Sequence, residues 1–239
     1  AALPTFAHYL RLGEYRTCLS GKMHFTGPDQ LHGYEERLTT DIYPSDFGWN
    51  PNWGEPDAKV TFQNMTNVLE TGPCLWSSQI DYDDDVATKA CRWLCDRPRA
   101  ESTKPFMLTV SFTSPHEPYG ARPKYWDLYT DDEIDLPAVP PIPVKDMDAH
   151  SKRIHGHYLF GKAEINDDVM RRARHGYYAS IEYIDAKVAA SPVNHFVDNL
   201  QFTIQSVSKT NIADQRETWR ITSLENGETR GPLDRHQAG

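Results

Sequence analysis

The sequence predicts an α/β fold, a mainly parallel sheet flanked by helices with long irregular loops, and three observations carry that expectation. Two runs, Tyr15 to Ser20 and Phe106-Met107-Leu108-Thr109-Val110-Ser111-Phe112, have the length and composition of strands. Each follows a segment of helical spacing, and helix-then-strand order suits parallel pairing. Between the periodic segments lie two stretches, 25–71 and 120–165, that are rich in turn-forming residues and have no period.

Taken in order, residues 4–13 have the pattern of a short amphipathic helix, with Phe6, Tyr9 and Leu10 on one face and Gly13 as its stop. The first strand follows at once. Residues 25–71 read as a long ordered excursion over the sheet. Asp81-Tyr82-Asp83-Asp84-Asp85 is an acidic start for a helix running to about Asp96, with Val86, Ala90, Trp93 and Leu94 on its apolar face and Arg97-Pro98 as its end. The run 106–112 reads as a buried strand. In the second excursion, Pro137-Ala138-Val139-Pro140-Pro141-Ile142-Pro143 predicts extended polyproline-like chain. Asn166-Asp167-Asp168 then caps a helix through about Ala190, with a stripe of Val169, Ala173, Tyr177, Ile181, Ile184 and Val188. Beyond Ala190 the pattern weakens, and 190–239 is expected to be a divergent, poorly ordered tail.

A net charge of -9 argues against nucleic acid and anionic membrane surfaces as partners, since both require a basic footprint. No apolar run has the length of a membrane span and no secretory signal is visible at the N-terminus, so a soluble, cytoplasmic protein is expected. Cysteines 18, 74, 91 and 95 form no dense disulfide framework. Cys91 and Cys95 stand at i, i+4 on a helix without two further ligands nearby, which favours buried structural thiols over zinc.

The residues that carry chemistry sit just past the two strands. Lys22 and His24 are two apart directly after the first, so extended chain would turn both toward one group. His116 lies in Thr113-Ser114-Pro115-His116-Glu117-Pro118-Tyr119, just past the second. Ligands of open α/β sheets sit beyond the carboxyl ends of the strands. Two such ends carrying Lys22, His24 and His116 predict a local basic site for an oxyanion, sulfate or phosphate. The other histidines are expected in exposed loops, and His155-Gly156-His157 lacks a carboxylate at metal-binding spacing. Trp49 and Trp53 stand in an aromatic stretch between the two edges.

Several collinear segments resemble the choline sulfatases, members of the type I sulfatase family in the alkaline phosphatase superfamily. They are Arg16-Thr17-Cys18-Leu19-Ser20-Gly21-Lys22-Met23-His24-Phe25, Gly27-Pro28-Asp29-Gln30-Leu31-His32-Gly33, Glu36-Arg37-Leu38-Thr39-Thr40-Asp41-Ile42-Tyr43-Pro44, Ser111 to Tyr119, and Pro140-Pro141-Ile142-Pro143. The resemblance covers about 1–189 and implies a partial sulfatase catalytic domain, shortened at both ends relative to the family. It also implies a sulfuric ester hydrolase acting on a small sulfate ester, and a homo-oligomer in the full-length family.

On the same resemblance, Lys22 corresponds to the lysine that neutralises a sulfate oxygen. His24 corresponds to the histidine that contacts the formylglycine hydroxyl, and His116 to the one that faces the ester oxygen and protonates the leaving alcohol. Trp49 matches a choline-site tryptophan. Asn64 falls in Gln63-Asn64-Met65, where choline sulfatases read His-Asn-Met. The family's cofactors are a divalent metal (Ca, Mg or Mn) and a formylglycine made from the Cys of C-x-P-S-R. That motif is absent here, because Cys18 is followed by Leu19-Ser20-Gly21, and no S-D-H-G segment occurs. No nucleophile and no metal ligand is therefore assigned. The readings left open are a choline-sulfatase-type hydrolase, a phosphonate or phosphate monoester hydrolase of the same superfamily, and a non-catalytic sulfatase remnant.

Overall fold

The computed structural model describes residues 3–44, 54, 66–97, 104–157 and 164–190, all within one compact unit, Ala1–Ala190. Of the tail read from the sequence as 190–239, Ala190 ends a helix and residues 191–239 lie outside the described residues.

The fold is α/β. Its elements are α1 (Phe6–Leu12), β1 (Arg16–Gly21), β2 (Glu36–Arg37), α2 (Thr66–Leu69), α3 (Ser78–Asp96), β3 (Phe106–Ser111), α4 (Pro123–Trp126), α5 (Ala149–His157) and α6 (Asp167–Ala189). Among the described residues the sheet has the order β2-β1-β3 and is parallel throughout, with Arg16 opposite Phe106 and Gly21 opposite Ser111. Both long strands therefore end level, and the loops that follow them leave the sheet side by side.

β1 is central and buried because alternate residues face different neighbours. Leu19 packs with Ala7 of α1 and with Tyr34, while Ser20 donates its hydroxyl to the Val86 carbonyl of α3 at 2.9 Å. A second apolar cluster joins α4 to α6 through Ala121, Tyr125, Ala179 and Tyr183. α6 passes so close to Tyr119 that a Cβ on Gly176 would lie 2.5 Å from the Tyr119 carbonyl. No helix among the described residues is long and apolar enough to cross a membrane.

Several expectations are corrected. α3 begins at Ser78, not Asp81, because the Ser77 hydroxyl caps it by accepting the Ile80 N–H at 3.2 Å. Trp93 is only half-buried, its indole N–H bound to Glu36. β3 is half-exposed, with Val110 at 38%, since it is an edge of the described sheet. The first excursion contains β2, whose two residues pair with β1, and the second contains α4 and α5.

The buried face of α6 is His175, Gly176, Ala179, Ser180 and Tyr183, whereas Ile181 is exposed. Small residues there let the helix approach its neighbours, which an apolar stripe does not reveal. His175, expected in a loop, is buried on α6 and stacks on Trp126 with ring centroids 4.1 Å apart. Cys95, expected buried, is exposed, and Cys91 is intermediate. The proline segment holds no regular element and leads into Pro143 at φ -56°, ψ 138°, in the polyproline region.

Candidate active site at the carboxyl edge of the sheet

The first loop leaves β1 at Gly21, where φ is +124° and any Cβ would collide with Ser111 O of the neighbouring strand. That close approach lets Lys22 N–H continue the pairing to Ser111 O at 3.0 Å. His24 follows with φ +52°, in the left-handed region that a non-glycine residue adopts only when held there. The holder is Asp41. Its Oδ2 accepts the backbone N–H of Met23 at 2.9 Å and of His24 at 2.7 Å, and it also receives Arg37 at 3.2 Å. Burial works against the Asp41 charge, but N–H bonds from Met23, His24 and Tyr43 outweigh it and keep the carboxyl below the usual aspartate range.

The second loop leaves β3 and is held in the same way. Asp83 of α3, fully buried, accepts the N–H of Thr113 and of Ser114. His116 N–H then bonds back to Thr113 O at 3.0 Å, closing the turn that carries the imidazole.

Tyr43 is where the two loops meet. Lys22 Nζ lies 5.1 Å from the centre of its ring, the His24 ring stacks at 6.4 Å with 18° between planes, and the His116 ring is tilted at 6.1 Å. The structure thus brings Lys22, His24 and His116 round one tyrosine at the carboxyl edge of β1 and β3. Burial lowers the Lys22 ammonium from its ordinary value, opposed by the acidic neighbours Asp41, Glu117 and Asp83. His24 Nδ1 stands 4.0 Å from Asp41 Oδ1 and His116 Nδ1 3.3 Å from Glu117 Oε2, so each imidazole has a carboxylate beside it. Next to this group a cleft of about 500 Å³ opens between Gly27, Gln30, Arg37, Thr39, Asp41 and Pro44. A larger one of about 770 Å³ lies at the opposite end of the strands, beside Tyr15, Arg16 and Lys104. Its ionic groups pair with each other, as Arg16 with Glu36 and Lys104 with Glu14, which leaves the carboxyl edge as the candidate site.

Trp49 and Asn64 lie outside the described residues. Sequence reasoning missed Tyr43, Asp41, Asp83 and Gln79. Nothing in their spacing marks them, although Thr40-Asp41-Ile42-Tyr43 stood inside one of the collinear segments.

Comparison with known proteins now decides the family. The sulfatase family profile matches residues 2–199. The chain belongs to the sulfatase family. It is 47% identical over 193 residues to the choline-sulfatase of Rhizobium meliloti (strain 1021), covering 79% of this chain and 38% of that protein. It is 33% identical over 91 residues to an arylsulfatase of Clostridium perfringens (strain 13 / Type A), covering 38% of this chain and 18% of the relative. A match of 24% over 251 residues to the uncharacterized sulfatase YidJ of Escherichia coli (strain K12) covers 96% of this chain and 42% of that one. The matches thus cover less than half the length of each of these relatives.

The described residues do not supply sites for the cofactors expected from the sulfatase resemblance. Among the described residues no group of three His, Cys, Asp or Glu side chains could hold a metal ion. Cys18 is a poor precursor for a formylglycine nucleophile. It sits within β1, three residues short of the strand end, has no exposed surface, and burial, helped by Glu36, pushes its thiol up to about 12.

Proposed function

We propose that this chain supplies the oxyanion-facing part of a choline-sulfatase-type sulfuric ester hydrolase, which cleaves choline sulfate to choline and sulfate. The observation that carries this reading is the convergence of Lys22, His24 and His116 on Tyr43, within segments similar to a protein named choline-sulfatase. Cleavage of a sulfate monoester builds negative charge on the equatorial and leaving oxygens, and donors fixed beforehand stabilise it without reorganising. In this reading the Lys22 ammonium neutralises a non-bridging oxygen, the half-buried setting strengthening the attraction. His24, its backbone locked by Asp41, contacts the attacking side of the sulfur. His116 gives a proton to the leaving alcohol oxygen, a task suited to an imidazole near neutral pH.

Trp49 would hold the trimethylammonium of choline by cation–π attraction, with Asn64 in the same pocket. The family's metal and formylglycine would come from segments outside this sequence, and the reading keeps the cytoplasmic placement and the small-molecule sulfate ester as substrate.

The reading is tested by measuring sulfate, phosphate and choline binding to the chain, and turnover by a version extended to the full family length. Sulfate bound in preference to phosphate, and choline sulfate cleaved in preference to an aryl phosphate, are expected. Phosphate preference in both assays would move the assignment to a phosphate monoester hydrolase. In the extended protein Trp49→Ala should raise KM for choline sulfate more than for an aryl sulfate, by the roughly 0.5–2 kcal/mol of a cation–π contact. Equal effects on the two substrates would reduce Trp49 to packing.

A further inference from the structure

Gln79 lies in the first turn of α3, and its side chain is almost entirely buried between the two loops of the site. Its Nε2 stands 2.8 Å from the Glu117 carbonyl oxygen and 3.0 Å from the Tyr43 hydroxyl. A backbone carbonyl only accepts, so the amino end of the amide must face Glu117, and its second N–H then reaches the tyrosine oxygen. The same carbonyl lies 2.9 Å from His116 Nδ1, and the Glu117 carboxylate lies beyond at 3.3 Å. Both groups facing Nδ1 are acceptors. A neutral His116 must therefore carry its hydrogen on Nδ1, which leaves Nε2 to exchange a proton with a ligand. One amide thus fixes the peptide that sets the His116 tautomer and also the ring that Lys22 and His24 surround.

We propose that Gln79 is a positioning residue of the site, holding the Lys22–His24 half and the His116 half in register and fixing His116 in the Nδ1–H form. The proposal rests on reading the three side chains as an oxyanion site. It assigns Gln79 no contact with substrate. Asp83, four residues on along the same helix, holds the start of the same loop, so α3 places both ends of the segment that carries His116.

The test uses the 239-residue chain and the ring nitrogens of His24 and His116, observed by NMR at about two pH units above the ordinary histidine value of ~6.5. In the wild type the pattern of an Nδ1–H imidazole is expected for His116. In Gln79→Met, which keeps the size but has no donor, that pattern should give way to a mixture of tautomers. The sulfate affinity read at His116 should fall about tenfold while the His24 tautomer is kept. Nε2–H in the wild type overturns the proposal, as does Gln79→Met with an unchanged tautomer and unchanged sulfate affinity. If the methionine variant does not fold, Gln79→Glu, which puts an acceptor against the Glu117 carbonyl, is measured in its place for the same two changes, and an unchanged tautomer and sulfate affinity there overturn the proposal. A wild type that binds no sulfate would sink the proposed function, and the tautomer would then report separately on whether Gln79 governs His116.

Discussion

Asp83 receives the backbone N–H of Thr113 at 2.6 Å on one carboxylate oxygen and that of Ser114 at 2.9 Å on the other, so a helix packed against the sheet holds the loop that carries His116. The carboxylate is fully buried and Thr113 nearly so. Burial pushes the Asp83 carboxyl up and the N–H bonds pull it down, with burial prevailing. The arrangement mirrors Asp41, which does the same for the loop of Lys22 and His24.

Removing the Asp83 carboxylate leaves backbone donors without a partner in the interior. Asp83→Ala should cost about 2–6 kcal/mol, from roughly 1–3 for each of the two orphaned groups. Asp83→Asn, which keeps one acceptor but turns an N–H₂ toward the other donor, should cost about half as much. Urea unfolding followed by tryptophan fluorescence checks both. An alanine variant within about 0.5 kcal/mol of wild type, the scale of an ordinary surface substitution, would mean that the loop is held by something else.

The next residue should depend on pH. Burial raises the Asp84 carboxyl, but bonds from Arg122 at 2.6 Å, from Lys187 and from Tyr183 at 2.9 Å outweigh it and bring it to about 2. A depressed value means that the folded state binds its proton less readily than the unfolded chain. The stabilisation is therefore fully present above the ordinary aspartate value of ~3.9 and is lost as pH falls toward about 2. Discounted for the exposure of the site, it amounts to roughly 1–2 kcal/mol. Asp84→Asn should lose this at neutral pH, and the gap to wild type should close as the solution is acidified through that window. A gap that stays constant with pH would place the effect in packing.

These two neighbours show what the sequence could and could not reveal. Asp81 to Asp85 read as an acidic helix start, which is a statement about the macrodipole, whereas the structure puts Asp83 inward and Asp84 across to α6. Helical period alone marks a face and cannot say which polar residue on it meets a backbone donor 30 positions away. β1, β3 and the positions of Lys22, His24 and His116 at their ends were legible because strand runs and the residues that follow them are local features. Tyr43 and Gln79 were not, because their importance arises only when loops distant in sequence meet. The exposure of β3 was misread for a related reason: an apolar run reports that a strand can be buried, and not on how many sides it is covered.

Lys22 should set the alkaline limit of anion binding. Burial lowers its ammonium from the ordinary value, and Asp41, Glu117 and Asp83 only partly restore it. The cationic form is the one that attracts sulfate, so affinity should fall as pH rises through a value below the ~10.4 of a free lysine. Lys22→Gln should weaken sulfate binding about tenfold or more, the effect of losing a charged hydrogen bond, and should abolish that alkaline limb. Calorimetric titration of both proteins from about pH 7 to 10 checks this. An unchanged affinity in the variant would remove Lys22 from the site.

Finally, the 239-residue chain by itself should release no sulfate from choline sulfate, whichever of Ca²⁺, Mg²⁺ or Mn²⁺ is added. In the proposed reading Lys22, His24 and His116 bind and polarise an ester, but a covalent nucleophile is needed for the rest, and its removal from a preorganised site leaves a residual rate lower by several orders of magnitude. Cys18 is the thiol nearest the site in sequence, and its place inside β1 decides against it. With its thiol raised to about 12, it is almost wholly protonated at neutral pH, and with no exposed surface it offers no line of attack. The folded chain should therefore react with a thiol reagent at the exposed Cys95 long before Cys18, and Cys18→Ala should leave sulfate binding unchanged. Metal-dependent turnover that disappears in both Cys18→Ala and His24→Ala would overturn this account and make Cys18 the nucleophile. Turnover restored only when the remainder of the family domain is supplied would agree with it, because the missing chemistry would then have come from outside these 239 residues.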